Sequence, residues 1–476
     1  MEINIASTNT GTNPNTIANT NASSSTLLIQ FQRDINRLYD VNDRNSRKKG
    51  LTKLLEDLPW KHNESNKKKC NSSNIGNTNT GLNIDFLKLT LLPPVLTLIG
   101  DPTEKCRDLS LKLLKHIISE SHHISNTCMS NDSNSNSNGS ALVTQLLNIL
   151  CKRIGADVTN HQYNETAEEL RLSIVSLISY ILEIMTIQCN EVYRKSMSNT
   201  TNTNNANNTT NTQSNKQYLS DECSKLLLHA TLPRILNDSF PAVKRECGEL
   251  VVLLLKKNKI KNVSVTGEDA DPNPNPNPGP VEGLPLICTD TARYYYKDLI
   301  LKGLLLNITH QHNKVRSVTL KALAVVLRSI VCSIEEFQSI LVDTLLPLLS
   351  KHIVGDGNNS VKKSLCQLCD VVLSAYYTQH SHNHASLMLV TINQLDRDNS
   401  SNSLDPISNK LLHANATLVS YLLILMGDPS QEVVESATKH MGNIAQSWGE
   451  VRMSDRLAVS GGDGSGSIRM KIEGVE

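Results

Sequence analysis

His310-Gln-His-Asn-Lys-Val-Arg316 and, 46 residues further on, Asp356-Gly-Asn-Asn-Ser-Val-Lys362 decide the fold of this chain. Each sets a polar or acidic residue six positions ahead of a cation, with valine just before the cation, between leucine-rich runs of helical spacing. The pattern recurs as Asp101…Cys106-Arg107, Glu165…Leu170-Arg171, Asp238…Val243-Lys244 and Asp428…Val433-Val434, with a degraded copy at Asp43…Lys48-Lys49. Such self-similarity marks stacked helical pairs, because one pair cannot bury its own apolar face while a stack buries a continuous core. The expected fold class is an all-α solenoid of about seven helical pairs.

Working outward, most steps between copies are longer than this one because Asn-, Ser- and Thr-rich segments interrupt the chain. With those removed, the period falls toward the roughly 40–47 residues of HEAT or armadillo units. The expected organisation is residues 1–25 disordered, a solenoid over 26–450, and a flexible Gly/Ser-rich tail over 451–476. Inserts near 63–80, 125–140, 197–215, 260–285 and 397–408 are expected to be disordered, since their side chains compete with the helix backbone and bury little. The alternate prolines of 271–280 exclude a helix there.

The turns carry the local signals. In Asp101-Pro102-Thr103-Glu104 and Asp428-Pro429-Ser430-Gln431, aspartate is the expected N-cap, proline the first helical residue and Glu104 the capping-box partner. After the turns, Leu109, Leu113 and Ile117, or Leu320, Leu323 and Leu327, recur at core spacing. Before them, Leu91, Leu92, Leu96 and Ile99, then Leu345, Leu346 and Leu349, then Leu418, Leu422, Leu425 and Met426 supply the first helices. The sixth-position cation can reach the acid of a neighbouring turn. The structural signature is therefore Asp101, Arg107, Asp238, Lys244, Arg316, Asp356, Lys362 and Asp428, read as an exposed charge ladder worth roughly 0.2–1 kcal/mol per link.

Composition narrows the function. Of 476 residues, 47 are Lys or Arg and 46 Asp or Glu, so the balance announces no nucleic-acid or anionic-membrane partner. No unbroken run of 18 apolar residues occurs, so no membrane span is expected. The polar N-terminus lacks a signal-peptide pattern, and 11 scattered cysteines fit a reducing compartment, so the expected location is cytoplasmic. Cys106, Cys151, Cys247 and Cys332 fall where a small apolar residue would pack.

Sharper chemistry is weakly supported. Cys366-Gln-Leu-Cys369 with His380, His382 and His384 has the residue types of a zinc enzyme, yet the cysteines share one helix face and no second matched pair follows. Packing is the expected role, with no metal and no cofactor. His310 and His312 read as turn-capping before they read as a metal pair or a pH switch. Gly461, Gly462, Gly464 and Gly466 lack the ending of a phosphate loop, and no nucleophile elbow or His-Glu-x-x-His helix is present. The chain reads as a scaffold and not an enzyme.

Three segments are more particular: Ala167-Glu-Glu-Leu-Arg-Leu172, Asp238-Ser-Phe-Pro-Ala-Val-Lys-Arg-Glu-Cys247 and Ile308-Thr-His-Gln-His-Asn-Lys-Val-Arg316. With Leu91-Leu-Pro-Pro94 and the Asp-Pro that follows, their order resembles the N-terminal half of the HEAT-repeat axonemal dynein assembly factors, the factor 5 family. The resemblance covers roughly 27–450. It departs at Asn313, where the family pattern has an aromatic residue, and in the glycine-rich ending, where the family continues with more repeats. It implies a cytoplasmic scaffold for preassembly of outer or inner dynein arms, with dynein heavy and intermediate chains, other assembly factors and chaperones as partners. A generic HEAT adaptor of the transport-receptor or phosphatase-scaffold type is the alternative. In HEAT proteins the second helices line the concave face, which makes Lys112, Lys115, His116, Lys256, Lys257 and Arg328 protein-binding candidates, and the turn His310, Gln311 and His312, the most particular element of the resemblance, joins them.

Overall fold

Leucine-proline steps shape the first helices of the pairs. In the computed structural model, Phe86–Leu91 is a π-helical turn leading into the helix Leu92–Leu98, and Ser339–Leu345 leads in the same way into Leu346–His352. Proline at the start of each following segment, Pro93 and Pro347, has no N–H to donate and its ring crowds the carbonyl one turn back. Widening that turn relieves the crowding without ending the helix. A similar π turn at Tyr296–Ile300 has no proline behind it, and nothing in the structure explains that one.

The structure describes residues 28–60, 82, 86–128, 136–155, 165–200, 219, 221–255, 259–260, 281–282, 296–329, 334–374 and 406–460. They fall into two compact units, Met1–Gln213 with Tyr218–Thr231 and Ser214–Gln217 with Leu232–Glu476. In the first, the second helices stack in sequence: Arg44–Asp57 on Glu104–Cys128, and Glu104–Cys128 on Glu168–Thr200. Leu92–Leu98 backs Glu104–Cys128, and Asn136–Ile154 backs Glu168–Thr200. Gly155, at φ 91°, ends Asn136–Ile154 in the left-handed conformation that a side chain would resist. In the second unit, Pro241–Leu255 packs closely on Asn313–Ser329, and Pro406–Met426 on Gln431–Ser460. The fold is an all-α solenoid of helical pairs, with one antiparallel pairing of Lys259–Ile260 and Val281–Glu282 beside it.

The spacing argument accounts for the core. At six of the copies the apolar residue five positions after the first turn residue is buried: Cys106, Leu170, Val243, Val315, Val361 and Val433 are all at most 3% exposed. Cys151, Cys247, Cys366 and Cys369 are buried free thiols. Met426 departs from its expected core position and is exposed, because it ends its helix at the turn.

Described helices enter several of the expected inserts. Helices run to Cys128 and begin at Asn136, inside 125–140; Glu168–Thr200 enters 197–215, and Pro406–Met426 begins inside 397–408. The strand pairing likewise occupies the edges of 260–285. Gln431–Ser460 continues ten residues past 450, so the expected tail boundary at 451 falls within a helix. Once packed turns have nucleated a helix, extending it through Asn or Ser loses only tenths of a kcal/mol per residue, about 0.7 at most. The expected insert at 63–80, the start 1–25 that is expected to be disordered, and the segment 461–476 lie outside the described residues.

Among the described residues one stretch, Glu168–Ile187 of the helix Glu168–Thr200, is long and apolar enough to cross a bilayer. The expectation of no such segment considered unbroken apolar runs, and scattered polar residues hid this one. Its Leu170, Ile174, Val175, Leu177, Ile178, Ile181, Leu182 and Met185 are buried within the first unit, which accounts for its hydropathy by packing.

Candidate functional site: the laced turns

The turn residues form one repeated arrangement. At seven turns a side chain accepts a hydrogen bond from the backbone N–H two residues on: Asp43 from Asn45, Asp101 from Thr103, Glu165 from Ala167, Asp238 from Phe240, His310 from His312, Asp356 from Asn358 and Asp428 from Ser430. These are Asx-type turns. Asp101 and Asp428 therefore sit further from their helices than a simple N-cap: the helices begin at Glu104 and Gln431, and Pro102 and Pro429 precede them. Glu104 is the first helical residue, not a capping-box partner three residues in.

At four of these turns a carboxylate oxygen also takes a cation from the preceding turn. Arg47 Nε donates to Asp101 Oδ2 at 2.6 Å, and Arg107 lies 2.8 Å from Glu165. In the second unit, Arg316 Nε donates to Asp356 Oδ2 at 2.7 Å, and Lys362 Nζ to Asp428 Oδ2 at 2.5 Å. Each arginine also ties its own turn: Arg107 Nη1 donates to the carbonyls of Asp101 and Pro102, Arg171 Nη1 to those of Glu165 and Thr166, and Arg316 Nη1 to those of His310 and Gln311. A planar guanidinium spreads its donors over three nitrogens and can fork in this way, whereas Lys362 presents all of its donors on one atom, Nζ, which reaches forward to Asp428.

These links are not the exposed ladder inferred from sequence. Arg47 and Asp101 are 5% and 2% exposed, and Arg107 and Glu165 are 9% and 1%, because each turn lies against the next. A buried pair gives little net stability over an apolar pair, but breaking it leaves a buried charge uncompensated. The ladder therefore fixes the register of stacking more than it adds stability. The degraded first copy also differs: its rung is Arg47, which donates to the carbonyls of Asp40 and Val41, and not Lys48 or Lys49. Arg153 adds a second cation to Glu165 at 3.2 Å.

One step is built differently. Lys244 Nζ donates to the amide oxygen of Asn307 at 2.9 Å, and Asn307 Nδ2 donates to the carbonyl of Leu236. The turn that follows carries His310 in place of an acid. Burial pushes the Lys244 amine below its usual range, with Asp238 opposing. Beside this turn lies an open cleft of about 500 Å³ lined by Gln311, His312, Asn313, Arg316, Asp356, Gly357 and Asn358.

The other binding candidates are scattered. Gln311, His312, Lys112, Lys115 and Arg328 are exposed, and Lys256 and Lys257 lie outside the residues whose side chains are described. Lys112 Nζ is held by Asp108 at 3.0 Å, Lys115 Nζ lies 5.3 Å from the centre of the Tyr180 ring, and the His116 ring lies 5.2 Å from that of Trp60. The structure brings together His310, Gln311, His312 and Arg316 at one turn of the second unit, while Lys112 and Lys115 lie on Glu104–Cys128 of the first. Burial pushes the Cys366 thiol up to about 11 and that of Cys369 higher, opposing the thiolate a metal would need. His380, His382 and His384 lie outside the described residues.

A polar cluster that spacing did not reveal joins the last two pairs. Asp370 Oδ2 meets His440 Nδ1 at 2.7 Å and accepts from Asn443 Nδ2 at 3.0 Å, while Ser374 Oγ donates to its other oxygen. Burial alone would raise the Asp370 carboxyl, but the hydrogen bonds from His440, Asn443 and Ser374 outweigh it and hold the group below its usual value. Stability from this group is full above the ordinary carboxylate range and is lost as pH falls through the lowered value. Removing His440 releases the carboxyl upward, so His440→Ala is expected to move the start of acid unfolding of the second unit to higher pH, read by helical circular dichroism. An unchanged acid limb would mean that the contact contributes nothing.

Residues 38–207 match the family model described as dynein axonemal assembly factor 5-like, TPR repeats. Among solved structures, a designed armadillo repeat protein in complex with the peptide (KR)4 is 12% identical with a TM-score of 0.39, covering 74% of this chain and 99% of that one. Another designed armadillo repeat protein, YIII(Dq)4CqI, is 13% identical with a TM-score of 0.38, covering 74% of this chain and 99% of that one. Kap121p bound to Ste12p is 11% identical with a TM-score of 0.27, covering 90% of this chain and 38% of that one. Comparison with curated proteins finds no match.

Proposed function

We propose, from the dynein axonemal assembly factor 5-like repeats of residues 38–207, that this chain is a cytoplasmic scaffold for preassembly of axonemal dynein arms. The family match is the observation that carries the reading. A stack of helical pairs offers a long contact surface on a backbone held in register, which suits holding large subunits near one another without turnover. The partners are dynein heavy and intermediate chains, with chaperones and other assembly factors. The His310–Gln311–His312 turn and its cleft are the place we assign to partner contact first, because there polar side chains converge on an open surface.

The direct test is affinity capture of the full chain from the cytosol of cells building motile flagella. Dynein heavy and intermediate chains should be recovered at least tenfold above an unrelated helical-repeat control. Recovery at the control level, from protein shown to be folded by circular dichroism, would contradict the proposal.

A further inference from the structure

We propose that the His310 turn is an acid-sensitive joint in the second unit, closed while the imidazole is neutral and loosened when it takes a proton. The comparison that carries this is internal. Six turns use a carboxylate to accept the amide two residues on, and a carboxylate keeps accepting down to the acid range. At the seventh, the His312 N–H donates to His310 Nδ1 at 3.1 Å. A ring nitrogen accepts only when it carries no proton, so this bond requires the neutral tautomer with hydrogen on Nε2.

The surroundings disfavour the charged form as well. The charged and titratable groups set against His310 are Lys244 from Pro241–Leu255, and His312 and Arg316 from its own turn and helix. All are cationic or become so. Burial comes first, and these neighbours add to it, in holding His310 below the usual histidine value. Asp356, the acid nearest in the ladder, is already engaged by Arg316. Lys244, which an acid at position 310 could have paired, is held by the Asn307 amide instead.

The sign follows. With the folded value below the unfolded one, the contribution is full above the unfolded value near 6.5 and is lost as pH falls through the folded value. Protonation removes the acceptor for the His312 amide and places a third charge beside Lys244 and Arg316. The carbonyls of His310 and Gln311, which Arg316 Nη1 holds, belong to the same turn and are freed with it.

The experiment is hydrogen exchange of amides 311–316 in the full chain at pH 7.5 and pH 5.5, corrected for intrinsic exchange rates, in the wild type, His310→Asn and His310→Asp. Both variants keep an oxygen that accepts the His312 amide but does not titrate in this window. In the wild type, protection of these amides should fall at least fivefold on acidification, and in both variants by less than twofold. Equal pH dependence in the wild type and the variants, or none in the wild type, would overturn the proposal. Should one variant fold poorly, the other and the wild-type titration still decide the matter. His312→Asn separates the neighbouring exposed imidazole and should retain the wild-type pH dependence.

Discussion

Asp101→Ala should destabilise the first unit by about 3–5 kcal/mol, whereas Asp43→Ala should cost only about 0.5–2 kcal/mol. Both aspartates accept the amide two residues on, at 2.7 and 2.8 Å. Only Asp101 also takes the guanidinium of Arg47, at 5% exposure, whose Nη1 is committed to the carbonyls of Asp40 and Val41. Truncating Asp101 leaves that charge buried without a counterion, while truncating Asp43 removes a solvent-exposed turn bond. Urea unfolding of the two variants, each against wild type, measures the difference. Equal losses would mean that the ladder contact adds nothing to the turn bond. A double replacement, Arg47→Met with Asp101→Ala, should recover part of the loss, because it removes the stranded charge along with its partner.

Gly248→Ala should destabilise the second unit by about 1–3 kcal/mol, against the usual direction of a glycine replacement inside a helix. A Cβ at Gly248 would lie 2.5 Å from Val318 Cγ1, where Pro241–Leu255 and Asn313–Ser329 pack. Valine is branched at Cβ and has no flexible end to swing away, so the two helices must separate or Val318 must leave its rotamer. Adding Val318→Ala should restore most of the loss in thermal unfolding. A stabilised Gly248→Ala variant would show that the helices are not held at this distance.

Much of this architecture was legible because its signal is a spacing. The fifth-position residues Cys106, Val243, Val315 and Val361 declare themselves by recurrence, and the helices that carry them must pack. What spacing does not carry is exposure: that the Arg47–Asp101 and Arg107–Glu165 links lie under neighbouring turns depends on stacking, which no single turn encodes. Arg47 was obscured by Lys48 and Lys49, which match the pattern in sequence while the structure uses the residue before them. Asn307 was missed because it substitutes for an acid from outside the six-residue frame, three positions before His310. Asp370 and His440 are 70 residues apart and share no motif, so only the packing of the last pairs brings them together. Helix ends are hard to read from sequence for a related reason: composition reports what begins a helix poorly, and a packed turn extends one through Asn and Ser.

The measurement that tests the central claim most directly is removal of this protein from cells while they build flagella, with dynein arms counted in axoneme cross-sections and heavy chain measured in the cytosol. The scaffold account predicts intact microtubule doublets lacking outer or inner arms, with cytosolic heavy chain lost or unassembled, and restoration by the wild-type chain. A full set of arms after complete removal, or a source that builds no motile axoneme, would contradict it.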